Sequence, residues 1–364
     1  MRTIRDCNVA VIGGAGFLGS HLVNHLIEDR GCKVSVYDNL CAGRREFVHK
    51  DATFIYCDIT KSEGFLSRSF KQQGVQFVFN YAAWPYIPDS FQRPLHVFEV
   101  NATGAMNVID AAQEAGVEAI LQVSSAEIYG NGQLRHLSHK HDKGLTTVHS
   151  INEDASVIPH STYGVAKAAI DYYVQARWRE AKIPCIALRQ FNCVGERETH
   201  PYIVPEIISQ LSQPFRQVAP GLSVSQKLTV PTVRLGNNSF RDFLYAGDAV
   251  RVAVELLERG QFGEVYNLGS ETGIKMYDLA KLIGKAMGFA EVKVERDEER
   301  VRPWEIWHLQ SDNMKIRNVV NESWFSNPTK QVLSTPMNNL VLLDEALRRT
   351  IKWYESNGRK WAWE

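Results

Sequence analysis

Short apolar runs alternate with longer amphipathic ones from the start of the chain. Residues 8–12 form a largely apolar run of strand length, and residues 19–30 place Leu22, Val23, Leu26 and Ile27 on one face at helical spacing. Residues 33–37, 54–57 and 77–80 read as three further strands. Residues 97–115 predict a long helix stopped by Gly116, followed by a strand at 119–123, a helix at 163–181 and a strand at 185–189. Strands joined through helices of this length need right-handed crossovers, hence a parallel sheet. The expected fold class is a doubly wound α/β sheet. Past residue 190 the rhythm loosens, with helical patterns at 204–211, 247–258, 276–287 and 340–354 between short strands and Pro- and Trp-bearing loops. Residues 1–190 are expected to form the first domain, with a segment near 240–262 returning to it. Residues 191–364 are expected to make mainly a smaller, mixed α/β domain.

Composition narrows the class. The 364 residues carry 41 basic and 41 acidic side chains, so no overall field draws nucleic acid or an anionic membrane. No apolar run has the length of a membrane span, and the first residues lack the zones of a signal peptide. Cysteines 7, 32, 41, 57, 185 and 193 are scattered without a CxxC pair, which points to a reduced, cytoplasmic protein. Residues 130–149 are polar and contain His136, His139, His141 and His149. Without a nearby carboxylate pair they read as a solvated loop over a site, and no metal is expected.

The turn after the first strand carries chemistry. Gly13-Gly14-Ala15-Gly16-Phe17-Leu18-Gly19 is a GxxGxxG run between a predicted strand and a predicted helix. Its glycines allow a tight turn, close approach of a pyrophosphate and close packing of the helix, whose free amides hold the phosphates. Phe17 and Leu18 belong to the same cradle. Asp38, with Asn39 after it, ends the second strand at the spacing of a ribose-binding carboxylate. That carboxylate repels a 2′-phosphate and selects NAD over NADP, although Arg44 and Arg45 follow closely. Asp58, with Ile59 beside it, either meets the adenine or caps a helix N-terminus. The first domain is therefore expected to be a Rossmann domain holding NAD.

Tyr163 and Lys167 stand four residues apart on one helical face. A nearby lysine and a positive nicotinamide stabilise tyrosinate, so Tyr163 is expected to have a lowered pKa and to take a proton from a substrate hydroxyl. Ser124 and Ser125 end the preceding strand, where a hydroxyl orients the same oxygen. The runs GGAGFLG, YDNL, CDIT, NYAA, EVNATGAMNVIDAA, VSSAEIYG, STYGVAKAA, RQFNCVGER, RDFLYAGDAV, VYNLGS and RPWE follow one another in this order. In them the chain resembles the extended short-chain dehydrogenases/reductases of the nucleotide-sugar epimerase/dehydratase type. The resemblance implies that Ser125, Tyr163 and Lys167 are catalytic and that Ala82, Ala83, Asn101 and Ser124 serve the cofactor. It also implies a nucleotide-diphosphate sugar contacted by Trp84, Tyr86, Ala126 and Asn192, with Arg241 and Arg302 on the diphosphate and Glu305 beside them. The chain departs from the family where Asn80 replaces a histidine, Glu196 a proline, and Trp84-Pro85-Tyr86 a more polar loop.

Members of this family first oxidise the sugar at C4, which acidifies the C5 proton. In 4,6-dehydratases an Asp-Glu pair follows the hydroxyl residue; here Glu127 is present and Ala126 stands in the acid's place. A carboxyl in a closed sugar pocket is costly without a use, which favours a C5 base, although a turn cap or a contact to a sugar hydroxyl are the alternatives. The segment 300–315 also looks more like dehydratase relatives. The expected reaction is 4,6-dehydration, with C4 epimerisation second, decarboxylation of a sugar uronate third, and a non-catalytic NAD-binding protein as the alternative of a different class. Trp304, Trp307 and residues 213–234 are expected to shape the nucleobase pocket. The resemblance further implies a homodimer packed through the helices at 97–115 and 163–181, where Tyr172, Tyr173 and Trp178 face either a partner or the core.

Overall fold

The computed structural model describes residues 2–131, 150–199, 202–216, 230–302, 304–320 and 341–357. Seven strands form one parallel sheet: β1 (Asn8–Ile12), β2 (Lys33–Asp38), β3 (Thr53–Tyr56), β4 (Phe77–Asn80), β5 (Ala119–Ser125), β6 (Cys185–Gln190) and, much later in the chain, β10 (Val265–Leu268). Their spatial order is β10-β6-β5-β4-β1-β2-β3. The expected doubly wound α/β sheet is present, and its direction of growth reverses between β1 and β4, where such sheets bind ligands.

Period-two alternation places the two cores. Along β1, Val9 and Val11 pack with Leu22, Leu26, Val250 and Leu257 of α1 (Phe17–Glu28) and α8 (Ala246–Arg259). Ala10 and Ile12 face the other way. They meet α2 (Phe65–Gln73), α5 (Ala105–Ala115) and α6 (Thr162–Ala181) through Leu66, Phe70, Ile109 and Val174. Residues 240–262 only partly return: α8 packs on the first core, whereas β9 (Phe240–Tyr245) belongs to a second sheet. The return also runs further than expected, because β10 completes the first sheet beside β6.

The helix expected at 97–115 is in three parts. Pro94 opens α4 (Pro94–Phe98), a π turn follows at Glu99–Gly104, and α5 continues to Gly116, whose φ of +75° closes it. Ahead of α4 lies α3 (Ile87–Gln92), begun by Pro88 in its first turn.

The remaining strands make two small sheets. β7 (Asn192–Val194) pairs with β9, which also pairs with β11 (Gly273–Lys275) and β13 (His308–Leu309). β8 (Thr232–Leu235) pairs with β12 (Lys293–Arg296). Around them α7 (Ile203–Arg216), α9 (Met276–Ala286) and α11 (Leu343–Asn357) enclose a third apolar core. A short α10 (Met314–Arg317) packs beside β10. No helix among the described residues is long and apolar enough to cross a membrane.

Candidate active site

A cleft of about 1510 Å³ opens at the carboxyl ends of the parallel strands. Pockets for one small ligand measure about 300–1,000 Å³, so this one has room for a dinucleotide and a second ligand. Its floor begins with the glycine turn. Gly13 has a φ of +76°, and a Cβ there would come within 2.6 Å of the Ala82 amide nitrogen; only glycine lets the loops after β1 and β4 touch. A Cβ on Gly19 would lie 2.1 Å from the Gly13 carbonyl oxygen. The third glycine thus lets α1 close onto the turn itself. α1 starts at Phe17 with Gly16 at its N-cap and no side chain on its first amides, which leaves them for an anion.

Asp38 ends β2 almost fully buried. One carboxylate oxygen accepts from the Ala15 amide at 3.0 Å and the other from the Leu40 amide at 2.8 Å, so the carboxylate is welded to the glycine turn. Asn39 accepts from the Cys41 amide. Asp58 does cap a helical turn, accepting through one oxygen from the Thr60 amide and hydroxyl, while it and Ile59 still line the cleft. Arg44 lines the cleft; Arg45 instead stacks over Phe54, 4.7 Å from the ring centroid. A glycine-rich turn, open helix amides and a strand-end carboxylate are the parts a dinucleotide needs.

Ser124, Ser125, Ala126 and Glu127 lie at the C-terminal end of β5 and in the single 3₁₀ turn Ala126–Tyr129 that follows. The Ser124 hydroxyl donates to the Lys167 carbonyl and pins α6 to β5, whereas the Ser125 hydroxyl accepts from the Glu127 amide at 3.2 Å and stands close enough to the Tyr163 phenol to pull its pKa down. Lys167 is buried and donates to the Val123 carbonyl at 3.0 Å, its nitrogen 5.9 Å from the Tyr163 ring centroid. Burial pulls the Lys167 ammonium down to about 8. Burial also pushes Tyr163 up to about 12, helped by the Glu127 charge and opposed by the Ser125 hydrogen bond. The lowering expected for this phenol is therefore absent from the protein's own groups, because Lys167 faces a backbone carbonyl. Glu127 is half-buried at the wall of the cleft, and burial raises its pKa against the pull of Arg241 and Arg302.

The far wall comes from the small sheets. Asn192 stands on β7 and Arg241 on β9, directly paired strands. Arg241 is committed: it donates to Glu305 at 2.6 Å and to the carbonyls of Phe240 and Ile306. Asn237 holds the other Glu305 oxygen at 3.1 Å. Arg302 lines the cleft exposed, with no ion pair among the described residues. Ala82, Ala83, Trp84 and Tyr86 line the opposite side, and the Trp84 indole donates to Asp89 at 2.7 Å. Trp304 and Trp307 are exposed beside Arg302 in sequence but do not line the cleft.

Among the described residues the fold thus brings the sequence-derived catalytic, cofactor and substrate residues to the cleft, except Asn101 and the two tryptophans Trp304 and Trp307. The Asn101 side chain is fully buried in the π turn, accepting from the Trp84 amide and donating to the Trp84 and Val97 carbonyls, so it fixes the loop that lines the cleft. Asn80 likewise supports from beneath, joined to Gln122 at 2.7 Å. Glu198 and Tyr202 line the cleft too and were not picked out in the sequence. Among the described residues there is no cluster of metal-ligating side chains; the expected loop with His136, His139, His141 and His149 lies outside them.

The profile of the family described as "NAD dependent epimerase/dehydratase family" matches residues 9–269. A dTDP-D-glucose 4,6-dehydratase of Mus musculus is 27% identical over 360 residues, covering 97% of this chain and 90% of the relative. A UDP-glucose 4-epimerase of Lacticaseibacillus casei is 29% identical over 297 residues, 77% of this chain and 81% of the relative. Among solved structures, the dTDP-glucose 4,6-dehydratase of Streptomyces venezuelae with NAD bound superposes with a TM-score of 0.77 at 22% identity, covering 98% of this chain and 99% of that one.

Proposed function

Because this chain belongs to the NAD dependent epimerase/dehydratase family and so uses NAD, we propose that it oxidises a nucleotide-diphosphate sugar at C4 and then removes water across C5 and C6, as a 4,6-dehydratase. The observation that carries this reading is Glu127. A half-buried carboxyl, open to the cleft and raised in proton affinity by burial, is a stronger base than an ordinary carboxylate. It stands two residues from Ser125, beside which lies the phenol that would take the C4 hydroxyl proton. The Gly13–Gly19 turn and Asp38 would hold NAD, which would supply a hydride acceptor and a positive ring charge that favours tyrosinate. Lys167 adds a buried cation below the phenol. Arg302 is the guanidinium left open for the diphosphate, and Arg241 orients Glu305 beside it. In this reading β1–β6, α8 and β10 hold NAD and the small sheets hold the nucleotide sugar.

A second reading, C4 epimerisation, is favoured by Ala126, which leaves no acid beside Glu127. The deciding experiment is incubation with dTDP-glucose, UDP-glucose and UDP-N-acetylglucosamine in D2O, followed by mass measurement. Loss of one water with deuterium at C5 is expected. An unchanged mass with altered configuration overturns dehydration in favour of epimerisation.

We further propose a homodimer through α3, α4 and α6. Phe91, Leu95, Phe98, Val165 and Tyr172 expose their side chains there, Leu95 to 84%. Trp178 instead packs on Phe262 at 5.7 Å, and Tyr173 donates to Asp110 of α5, so those two serve the monomer's own packing.

A further inference from the structure

The turn after β5 supplies a base with no acid beside it. Loss of a hydroxyl from C6 needs a proton donor, and Ala126 has none to give. Several other carboxyls line the cleft, and one of them is buried with no cation beside it among the described residues. Glu198 sits between β7 and α7, is 4% exposed, and has its Oε2 shut off from water with no hydrogen-bond partner among the described residues. Burial alone holds its pKa well above the carboxylate range, with no cation opposing it. Around it stand Cys193 of β7, Tyr202 ahead of α7 and Tyr354 of α11, all kept protonated by burial. Buried polar atoms are rarely left unpaired, and a neutral acid facing a ligand cleft has a proton to offer. Tyr202 ties it to the redox end, because its phenol is within electrostatic reach of both Glu198 and Tyr163.

We propose that Glu198 is the acid of the dehydration, protonating the C6 hydroxyl as it departs. This rests on the dehydratase reading. In the step, Glu127 takes the C5 proton of the 4-keto sugar and the C5–H electron pair becomes the C5–C6 double bond. The C6–O bond breaks with its electrons on oxygen, which takes the Glu198 proton and leaves as water. Glu127 ends protonated and Glu198 ends as a carboxylate. Tyr163 has meanwhile gained the C4 hydroxyl proton, the same count that Glu198 has lost.

The test uses Glu198→Gln, which keeps shape and neutrality but has no acidic proton. It is run in D2O with the sugar of the panel that the parent enzyme dehydrates. Water release is expected to fall at least about 100-fold, while recovered substrate still gains deuterium at C5 through Glu127. Water release within threefold of the parent overturns the proposal, as does equal loss of C5 exchange and water release. A measurement on the parent protein stands apart from any folding defect in the variant. Water release is expected to decline at alkaline pH as Glu198 ionises, while C5 exchange persists. Parallel pH profiles overturn the assignment. If the parent exchanges configuration without losing water, the dehydratase reading itself fails, a result distinct from either of these.

Discussion

Glu127, Glu198 and Tyr163 all line the cleft, and burial raises the proton affinity of each. Tyr163→Phe removes the phenol that stands beside Ser125. Turnover of any nucleotide sugar is expected to fall by about 10²–10⁴, read as product formed per enzyme; undiminished activity would refute the Ser125–Tyr163–Lys167 trio. Glu127 must be ionised to act as a base, so C5–H exchange should rise with pH through its raised pKa. Glu127→Gln is expected to abolish that rising limb yet leave C4 oxidation visible as NADH absorbance. The stability consequence has a definite sign. A carboxyl whose folded pKa lies above its unfolded one favours the fold below the unfolded value and loses that contribution as pH climbs through the folded one. The Gln variant should therefore melt higher than the parent, by a margin larger at pH 8 than at pH 5. A constant margin would show that Glu127 is not shifted.

At the scale of elements, one ion pair binds the machinery beneath the cleft. Arg189 at the end of β6 donates twice to Asp171 of α6, at 3.1 and 2.7 Å, and also to the Tyr129 hydroxyl and the Glu153 carbonyl. Asp171 lies one turn beyond Lys167, so the pair fixes the helix that carries the catalytic side chains. Asp171→Ala leaves a buried guanidinium unpaired and is expected to cost about 3–5 kcal/mol in urea unfolding. Adding Arg189→Met should recover much of that loss; an additive double variant would argue against coupling. None of this network was legible in the sequence, where Asp171 and Arg189 are single charges in apolar runs. The strands β1 to β6 were legible because each is a short apolar run punctuated by turns. β10 was not, since its short apolar run is broken in the middle by Asn267, whose side chain is buried by its bonds to Tyr129 and Ile151. The π turn was hidden for a similar reason, being shaped by the clasp of Asn101 on Trp84. Tyr163 and Lys167 could be found from spacing alone, and Ser125 was singled out from Ser124 by the family resemblance. Glu198 could not, because only the path from β7 to α7 brings it over the cleft.

For the whole molecule, the apolar patch on α3, α4 and α6 predicts assembly. Leu95→Glu places a charge at its most exposed point and is expected to convert a dimer to a monomer in light scattering, with the melting profile of the subunit little changed. A parent protein that is monomeric at micromolar concentration would sink the proposal. The last strand of the large sheet carries a further consequence. The Gln190 side chain donates to the carbonyl of Leu268, 78 residues further along, and β6 has its outer neighbour only once β10 arrives. During synthesis, the growing chain must hold a bare strand edge until the ribosome has delivered the whole intervening stretch. Unpaired edges invite pairing with other chains, so a fragment ended at residue 190 would be sticky in place of an independent NAD-binding unit. Chaperone demand in the cell should peak in that interval of translation.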